Sequence, residues 1–174
     1  MHMRKLKNLN LFDKALGILI VIAILLVSTK AIAFGEDRQK TCLAQNIYFE
    51  AGNQPFSGKL AVANVVLNRV DSSQFPNTIC EVVKQTKKYR ESWRTGELIP
   101  VRGQCQFTWF CDGKPDEPKD SNTLLESFRV ADIAMTNEID ITNGALFYHA
   151  DYSNPYWSKH LKRLVQIETH IFYK

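Results

Sequence analysis

Residues 46–70 read NIYFEAGNQPFSGKLAVANVVLNRV, and the fold turns on how this stretch divides. Its first part extends back to Thr41, a candidate helix N-cap, and stops at Gly52 or Asn53. Leu43, Ile47 and position 50 recur at i, i+4 and i+7, one face of a helix. Position 50 is Glu50, a carboxylate among Ile47, Tyr48 and Phe49 in the last turn. Apolar neighbours and the negative end of the helix dipole both oppose its charge, so a raised pKa is expected. After Pro55, Ser57 is a candidate cap for a second helix through Val70. From Leu60 onward that helix is apolar all round apart from Asn64, Asn68 and Arg69, as in a helix at the centre of a domain. Asn64 and Asn68 lie one turn apart, and buried amides need specific partners.

Upstream, the chain opens with a basic segment containing Arg4, Lys5, Lys7 and Lys14, followed by an unbroken apolar run from Ala15 to Val27 and then Ala31-Ile32-Ala33. This is the layout of a secretory signal peptide, expected to be cut after Ala33, and the run is shorter than the roughly 20 residues of a spanning helix. An uncleaved membrane anchor is the alternative. Either way residues 34–174 are expected outside the cytoplasm, with membrane contact only through the N-terminal segment. Of 22 Lys/Arg and 18 Asp/Glu, five and one fall before Phe34, so residues 34–174 hold 17 of each. The net charge of +4 belongs to the leader, and the balance beyond it gives no reason to expect a nucleic-acid partner.

The exported part is long enough for one domain with its own core. It contains Cys42, Cys80, Cys105 and Cys111. An even count in an exported domain suggests two disulfides, for which three connectivities exist. Cys105 with Cys111 would clip a local loop, leaving Cys42 with Cys80. No CxxC or HExxH spacing supports a zinc site, and no metal or other cofactor is expected.

Downstream, Asn77 or Thr78 can start a short helix through ICEVVKQT. KKYRESWRTGELIPVRG (87–103) has few periodic cues and reads as a long loop, a class that is often functional. CQFTWFC (105–111) reads as an aromatic strand. Ser121 is a candidate cap for an amphipathic helix with Leu124, Phe128, Ala131 and Met135 on one stripe. ALFYHA, RLVQIE and THIFYK read as a small antiparallel sheet. The expected class is α+β, mainly helical.

Four blocks in order, IYFEAGNQPFSGKLAVANVVLNRV, FPNTICEVV, CQFTWFCDG and GALFYHADYSNPYW with a final HIFYK, resemble the cell wall hydrolase family of the spore-cortex-lytic (SleB) type. The resemblance covers about Thr41 to Lys174. It implies a lysozyme-like fold related to lytic transglycosylases, acting as a monomer on the glycan strands of peptidoglycan. The family's catalytic glutamate falls on Glu50. Its Gln-Phe-Ser stretch falls on Gln106, Phe107 and Thr108, and its Tyr-His stretch on Tyr148 and His149. Gln106, Thr108, Tyr148 and His149 are therefore candidate substrate-binding or acid-positioning residues, and Phe107 is assigned to the core.

Thr108 replaces the family's usual serine and keeps its hydroxyl; two other departures matter more. Asn53-Gln54 stands where a second glutamate is common, and Glu168-Thr169 stands where the hairpin turn is usually Gly-Asn. A glutamic acid held protonated suits glycosidic cleavage. In a lytic transglycosylase the sugar's own 6-hydroxyl attacks the anomeric carbon, so one glutamate can act as acid and then base. Lysozyme-type hydrolysis is the alternative and needs a second carboxylate; Asp112, Asp132 and Asp151 are available. Two readings from other classes are a cysteine peptidase or amidase using a pair such as Cys42 and His149, and an inactive wall-binding module in which Trp93, Trp109 and Trp157 stack on sugars.

Overall fold

The computed structural model describes residues 11–137 and 139–174; Arg4, Lys5 and Lys7 of the leader lie outside them, as do the side chains of Lys14, Lys30 and Ala31-Ile32-Ala33. The elements are α1 (Leu11–Ala51), α2 (Phe56–Val70), α3 (Ile79–Val83), β1 (Tyr89–Glu91), β2 (Leu98–Pro100), α4 (Ser121–Asn137), β3 (Phe147–Ala150), β4 (Arg163–Ile167) and β5 (His170–Tyr173). Short 3-10 turns cover Thr108–Cys111 and Tyr156–His160. The chain divides into two compact units, one up to Asp37 and one from Arg38 to Lys174. In the first, the large apolar residues from Leu16 to Val27 are exposed. Among the described residues no helix is long and apolar enough to cross a membrane.

The second unit is built around α2. One face of this helix, with Leu60, Ala63 and Val66, packs in the main core with Leu43 and Ile47 of α1, Val82 and Val83 of α3, and Val130 and Ala131 of α4. The other face places Ala61 and Val65 against Ala145 and Phe172 beside the sheet. A helix covered on both sides has few places for polar residues, which accounts for its nearly continuous apolar sequence. The exceptions are all engaged. Asn64 Nδ2 donates to Ile139 O at 2.7 Å, and Asn64 Oδ1 accepts from Ile141 N at 3.1 Å. Asn68 Nδ2 donates to Thr142 Oγ1 and to Ala145 O, both at 3.2 Å. Lys59, buried, reaches Glu126 of α4 at 2.7 Å. The two asparagines thus hold the segment that leads from α4 into β3.

β3, β5 and β4 form an antiparallel sheet in that order. Tyr148 pairs with Phe172 and His149 with Ile171 in the β3–β5 register. Glu168 takes the left-handed region at φ +50 in the β4–β5 turn, where glycine would be unstrained. Ser57 Oγ donates to its carboxylate at 2.6 Å, and the adjacent Thr169 Oγ1 donates to Gln54 Oε1 at 3.2 Å. The departures at Asn53-Gln54 and Glu168-Thr169 therefore meet and bond to each other.

Several local expectations are corrected. Thr41 is not a cap, because α1 runs through it; no proline interrupts the chain between the leader and Glu50. Ser57 is not a cap either: Pro55 precedes the first turn of α2, and the Ser57 hydroxyl is used on Glu168. Thr78 does cap α3, accepting from the Glu81 backbone N–H at 3.3 Å and donating to the Glu81 carboxylate. Ser121 is already helical; the capping carboxylate is Asp120, which accepts from Thr123 N at 2.6 Å. The stretch 105–111 is not a strand. Six strand steps would separate its ends by about 20 Å, whereas the Cys105–Cys111 disulfide holds the two Cα atoms 6.1 Å apart. The polar stretch 87–103 is a hairpin made by β1 and β2.

Candidate active site

Glu50 ends the last turn of α1. Gly52 follows it because a Cβ there would lie 2.5 Å from the Tyr48 carbonyl oxygen and 3.1 Å from Thr123. Only glycine lets the chain leave the helix this close to α4, so the expected stop is confirmed through steric fit rather than a left-handed φ. The Cys42–Cys80 disulfide ties α1 to α3 two turns before Glu50. Asn46, buried between them, accepts from Trp109 Nε1 at 3.1 Å, and Trp109 stacks on Phe49 at 4.6 Å. Helix, disulfide and indole together fix where the carboxylate points.

Glu50 lies where two hollows meet. The larger, about 700 Å³, is floored by Phe49 and Trp109 and edged by Asp112 and Asp116. The smaller, about 230 Å³, is lined by Arg69, Gln106, Phe107, Thr108, Tyr148 and Trp157. Gln106, Phe147 and Trp157 continue from it into a third hollow of about 540 Å³. These form a groove crossing the carboxylate, with walls from α1, α2, the segment after β2, β3 and the 3-10 turn at 156–160.

Burial is the main influence on Glu50 and raises its pKa; the Tyr148 hydroxyl, donating to Oε2 at 3.0 Å, and the charge of Arg69 oppose the rise. Tyr148 is itself pushed well above the usual phenol range, first by burial and then by the Glu50 charge, so it stays a donor. Arg69 is buried in α2. Its Nε donates to Leu146 O at 2.8 Å, and its guanidinium faces the rings of Phe75, Phe107 and Phe147 at 5.0, 5.2 and 5.7 Å. Among the described residues Nη1 has no hydrogen-bond partner. Burial lowers its pKa, and the neighbouring Tyr148 and Glu50 act against that. An acid, a phenol and a guanidinium thus share one pocket.

Tyr148→Phe removes a hydrogen bond that favours the ionised form of Glu50. The pKa of Glu50 should then rise further, and the alkaline limb of activity should move to higher pH. A pH–rate profile that kept its limb in place would show that Tyr148 does not act through Glu50.

Of the residues expected from sequence, Glu50, Gln106, Thr108 and Tyr148 line the groove. His149, the next residue on β3, projects from the opposite face. It contacts Tyr173 Oη at 2.9 Å and Ala150 O at 2.8 Å, and it meets the groove only through the edge of Trp157 at 5.5 Å. Phe107 is core, at 2% exposure. Arg69 was not singled out; its only signal was a lone charge in an apolar helix. Asp116 was also not expected, and burial followed by the neighbouring Asp112 raises its pKa. Asp132 pairs with Lys40 and Asp151 lies beyond β3; neither lines the groove.

The model of the family described as cell wall hydrolase matches residues 53–173. A spore cortex-lytic enzyme of Bacillus cereus is 29% identical over 133 residues, covering 76% of this chain and 42% of that protein. One of Oceanobacillus iheyensis is 30% identical over 134 residues, covering 76% and 40%. The chain thus spans about two fifths of the length of these relatives. Among solved structures, the catalytic domain of the germination-specific lytic transglycosylase SleB from Bacillus anthracis superposes with a TM-score of 0.57 at 26% identity, covering 78% of this chain and 93% of that one. The SleB catalytic domain of Bacillus cereus gives 0.56 at 26% identity. The α+β class and the lytic-transglycosylase-like architecture agree with these matches.

Proposed function

The chain belongs to the cell wall hydrolase family, and on that premise we propose that it cleaves the glycan strands of peptidoglycan as a lytic transglycosylase, with Glu50 as its single acid and base. The supporting observation is a glutamic acid whose pKa is raised by burial, placed where the two arms of an open groove meet. Protonated Glu50 gives its proton to the glycosidic oxygen as the C1–O bond breaks. The resulting carboxylate, held by Tyr148 and faced by Arg69, then takes the proton of the sugar's 6-hydroxyl as O6 bonds to C1. The products are a 1,6-anhydromuramoyl end and a free 4-hydroxyl, and Glu50 is protonated again. No water, metal or cofactor is consumed.

Hydrolysis of the muramidase type is the second reading, favoured by one observation: Asp112 and Asp116 edge the larger hollow. The products decide. Mass spectrometry of digested sacculi should find anhydromuropeptides; reducing muramic ends in their place would assign the reaction to water. A cysteine nucleophile has no support, because all four cysteines are paired as Cys42–Cys80 and Cys105–Cys111. A purely sugar-stacking role for Trp109 is disfavoured by its burial in the core. The basic leader, the apolar helix and the two disulfides support export to the cell envelope, with the leader cut before Phe34 or retained as a tether; N-terminal sequencing of the protein from its producing cell distinguishes these. The enzyme is read as a monomer that does not engage nucleic acid.

A further inference from the structure

Among the described residues the strands β1 and β2 pair with each other alone, as a two-stranded sheet. Its apolar side chains are turned outward: Tyr89 is 51% exposed, Trp93 81% and Leu98 72%. Arg94 lies over the Trp93 ring at 4.7 Å. From Lys87 to Arg102 the chain carries five Lys/Arg against two Glu, although residues 34–174 as a whole are balanced. Among the described residues, Lys87, Arg90 and Arg94 stand in no ion pair. A projection with basic and aromatic side chains and no core of its own is shaped for contact with something anionic.

Its root shows where that contact leads. Lys87 N donates to Gln104 O at 2.9 Å, Gln106 N donates to Gln85 O at 2.9 Å, and the Cys105–Cys111 disulfide closes the base. Lys87 and Gln106 also line the third hollow of the groove, together with Tyr156, Trp157 and His160. Gln106 and Trp157 carry that hollow on to the pocket of Glu50. The two arms differ in lining: Lys87 and the rings of Tyr156 and Trp157 on one side of the acid, and a mixed set of Asp112, Lys114, Asp116, Glu117 and Lys119 on the other.

We propose that the hairpin and the adjoining hollow dock the stem peptides of a peptidoglycan strand, their carboxylates meeting Lys87, Arg90 and Arg94 while the sugars lie against Trp157. Binding would then favour peptide-bearing strands over bare glycan and would orient the strand across Glu50. Guanidinium and ammonium groups suit carboxylates. An anionic lipid surface offers similar charge, but it would not account for the continuity between the hairpin root and the groove. The inference rests on the glycan-cleavage reading above.

The test uses the full exported chain carrying Glu50→Gln, so that ligand is bound and not consumed. Its affinity is measured for solubilised strands with stem peptides and for strands stripped of them. The parent should prefer peptide-bearing strands, and salt should weaken that preference. Adding Lys87→Gln, Arg90→Gln and Arg94→Gln should remove it, an effect of about tenfold for three exposed charge contacts. All three side chains are at the surface, and circular dichroism verifies the fold. A parent without preference, or a triple variant that keeps it, overturns the inference. Loss of binding to anionic phospholipid vesicles, with strand preference kept, would assign the hairpin to a membrane instead. Digestion of strands by the Glu50→Gln parent would instead remove Glu50 from the chemistry, a failure of the proposed function and not of the docking inference.

Discussion

Glu50→Gln is expected to abolish turnover while leaving the protein folded. Glutamine occupies nearly the same volume and can still accept from the Tyr148 hydroxyl, but it has no proton to give to a leaving oxygen. Loss of general acid–base assistance alone is worth about 10²–10⁴-fold. A residue that acts first as acid and then as base should fall at the upper end of that range or beyond it. Stability should move the other way. The ordinary carboxyl value is 4.5, and burial raises Glu50 above it in the folded state. The native protein therefore holds this proton to a higher pH than the unfolded chain does. Below the ordinary value the carboxyl is neutral in both states and its ionisation contributes nothing. As pH rises through the raised value, ionisation costs native stability, and the cost then stays constant. The glutamine variant escapes it, so its melting temperature should equal the parent's in acid and be level or higher at neutral pH. For the same reason, activity should fall on an alkaline limb set above the usual carboxylate range. Assay on sacculi with thermal melts at two pH values measures all of this. A folded variant that releases anhydromuropeptides at the parental rate would rule out Glu50 as the acid.

The second large effect is on folding. Cys42 and Cys80 are 38 residues apart, and both are buried at 5–6% exposure in the main core. Closing a loop of that length removes unfolded-chain entropy worth about 4 kcal/mol. Domains of this size have about 5–15 kcal/mol in total. Cys42→Ala with Cys80→Ala should therefore shift the denaturation midpoint sharply downward and reduce activity by lowering the folded fraction. The Cys105–Cys111 loop is only six residues long, and its loss should cost about 2 kcal/mol on the same basis. Chemical unfolding of the two double variants checks the order. Equal losses, or a larger loss at Cys105–Cys111, would show that local strain or packing outweighs loop entropy.

The parts of this fold that were legible in the sequence are those with a period. α2 was readable because a helix buried on two faces must be apolar all round, and the two asparagines stood out as residues needing partners. The closing sheet was readable from its short β-branched and aromatic runs. Glu50 was noticeable because a carboxylate occupied an apolar stripe, although its family resemblance was needed to turn that into a role. The hairpin at 89–100 was not legible. Every residue of β1 is exposed, so burial imposes no alternation on Tyr89-Arg90-Glu91. CQFTWFC misled for the opposite reason: its aromatics suit a strand, but its disulfide forbids extension. Arg69 was missed because its partners are the rings of Phe75, Phe107 and Phe147, which come from three separated segments. Nothing local to residue 69 distinguishes a guanidinium held by aromatic rings from one facing water.

The position of β5 has a consequence for the order in which the enzyme comes into being. Tyr148 sits on β3, an edge strand whose only partner in the sheet is β5, and β5 begins 120 residues after Glu50. A chain leaving the ribosome acquires the carboxylate early and the strand that aligns the phenol against it late. Until His170–Tyr173 has emerged and zipped into place, the groove lacks a wall. The assembled site is therefore a record of completed synthesis, and a chain still being made carries the proposed acid without the wall that aligns it.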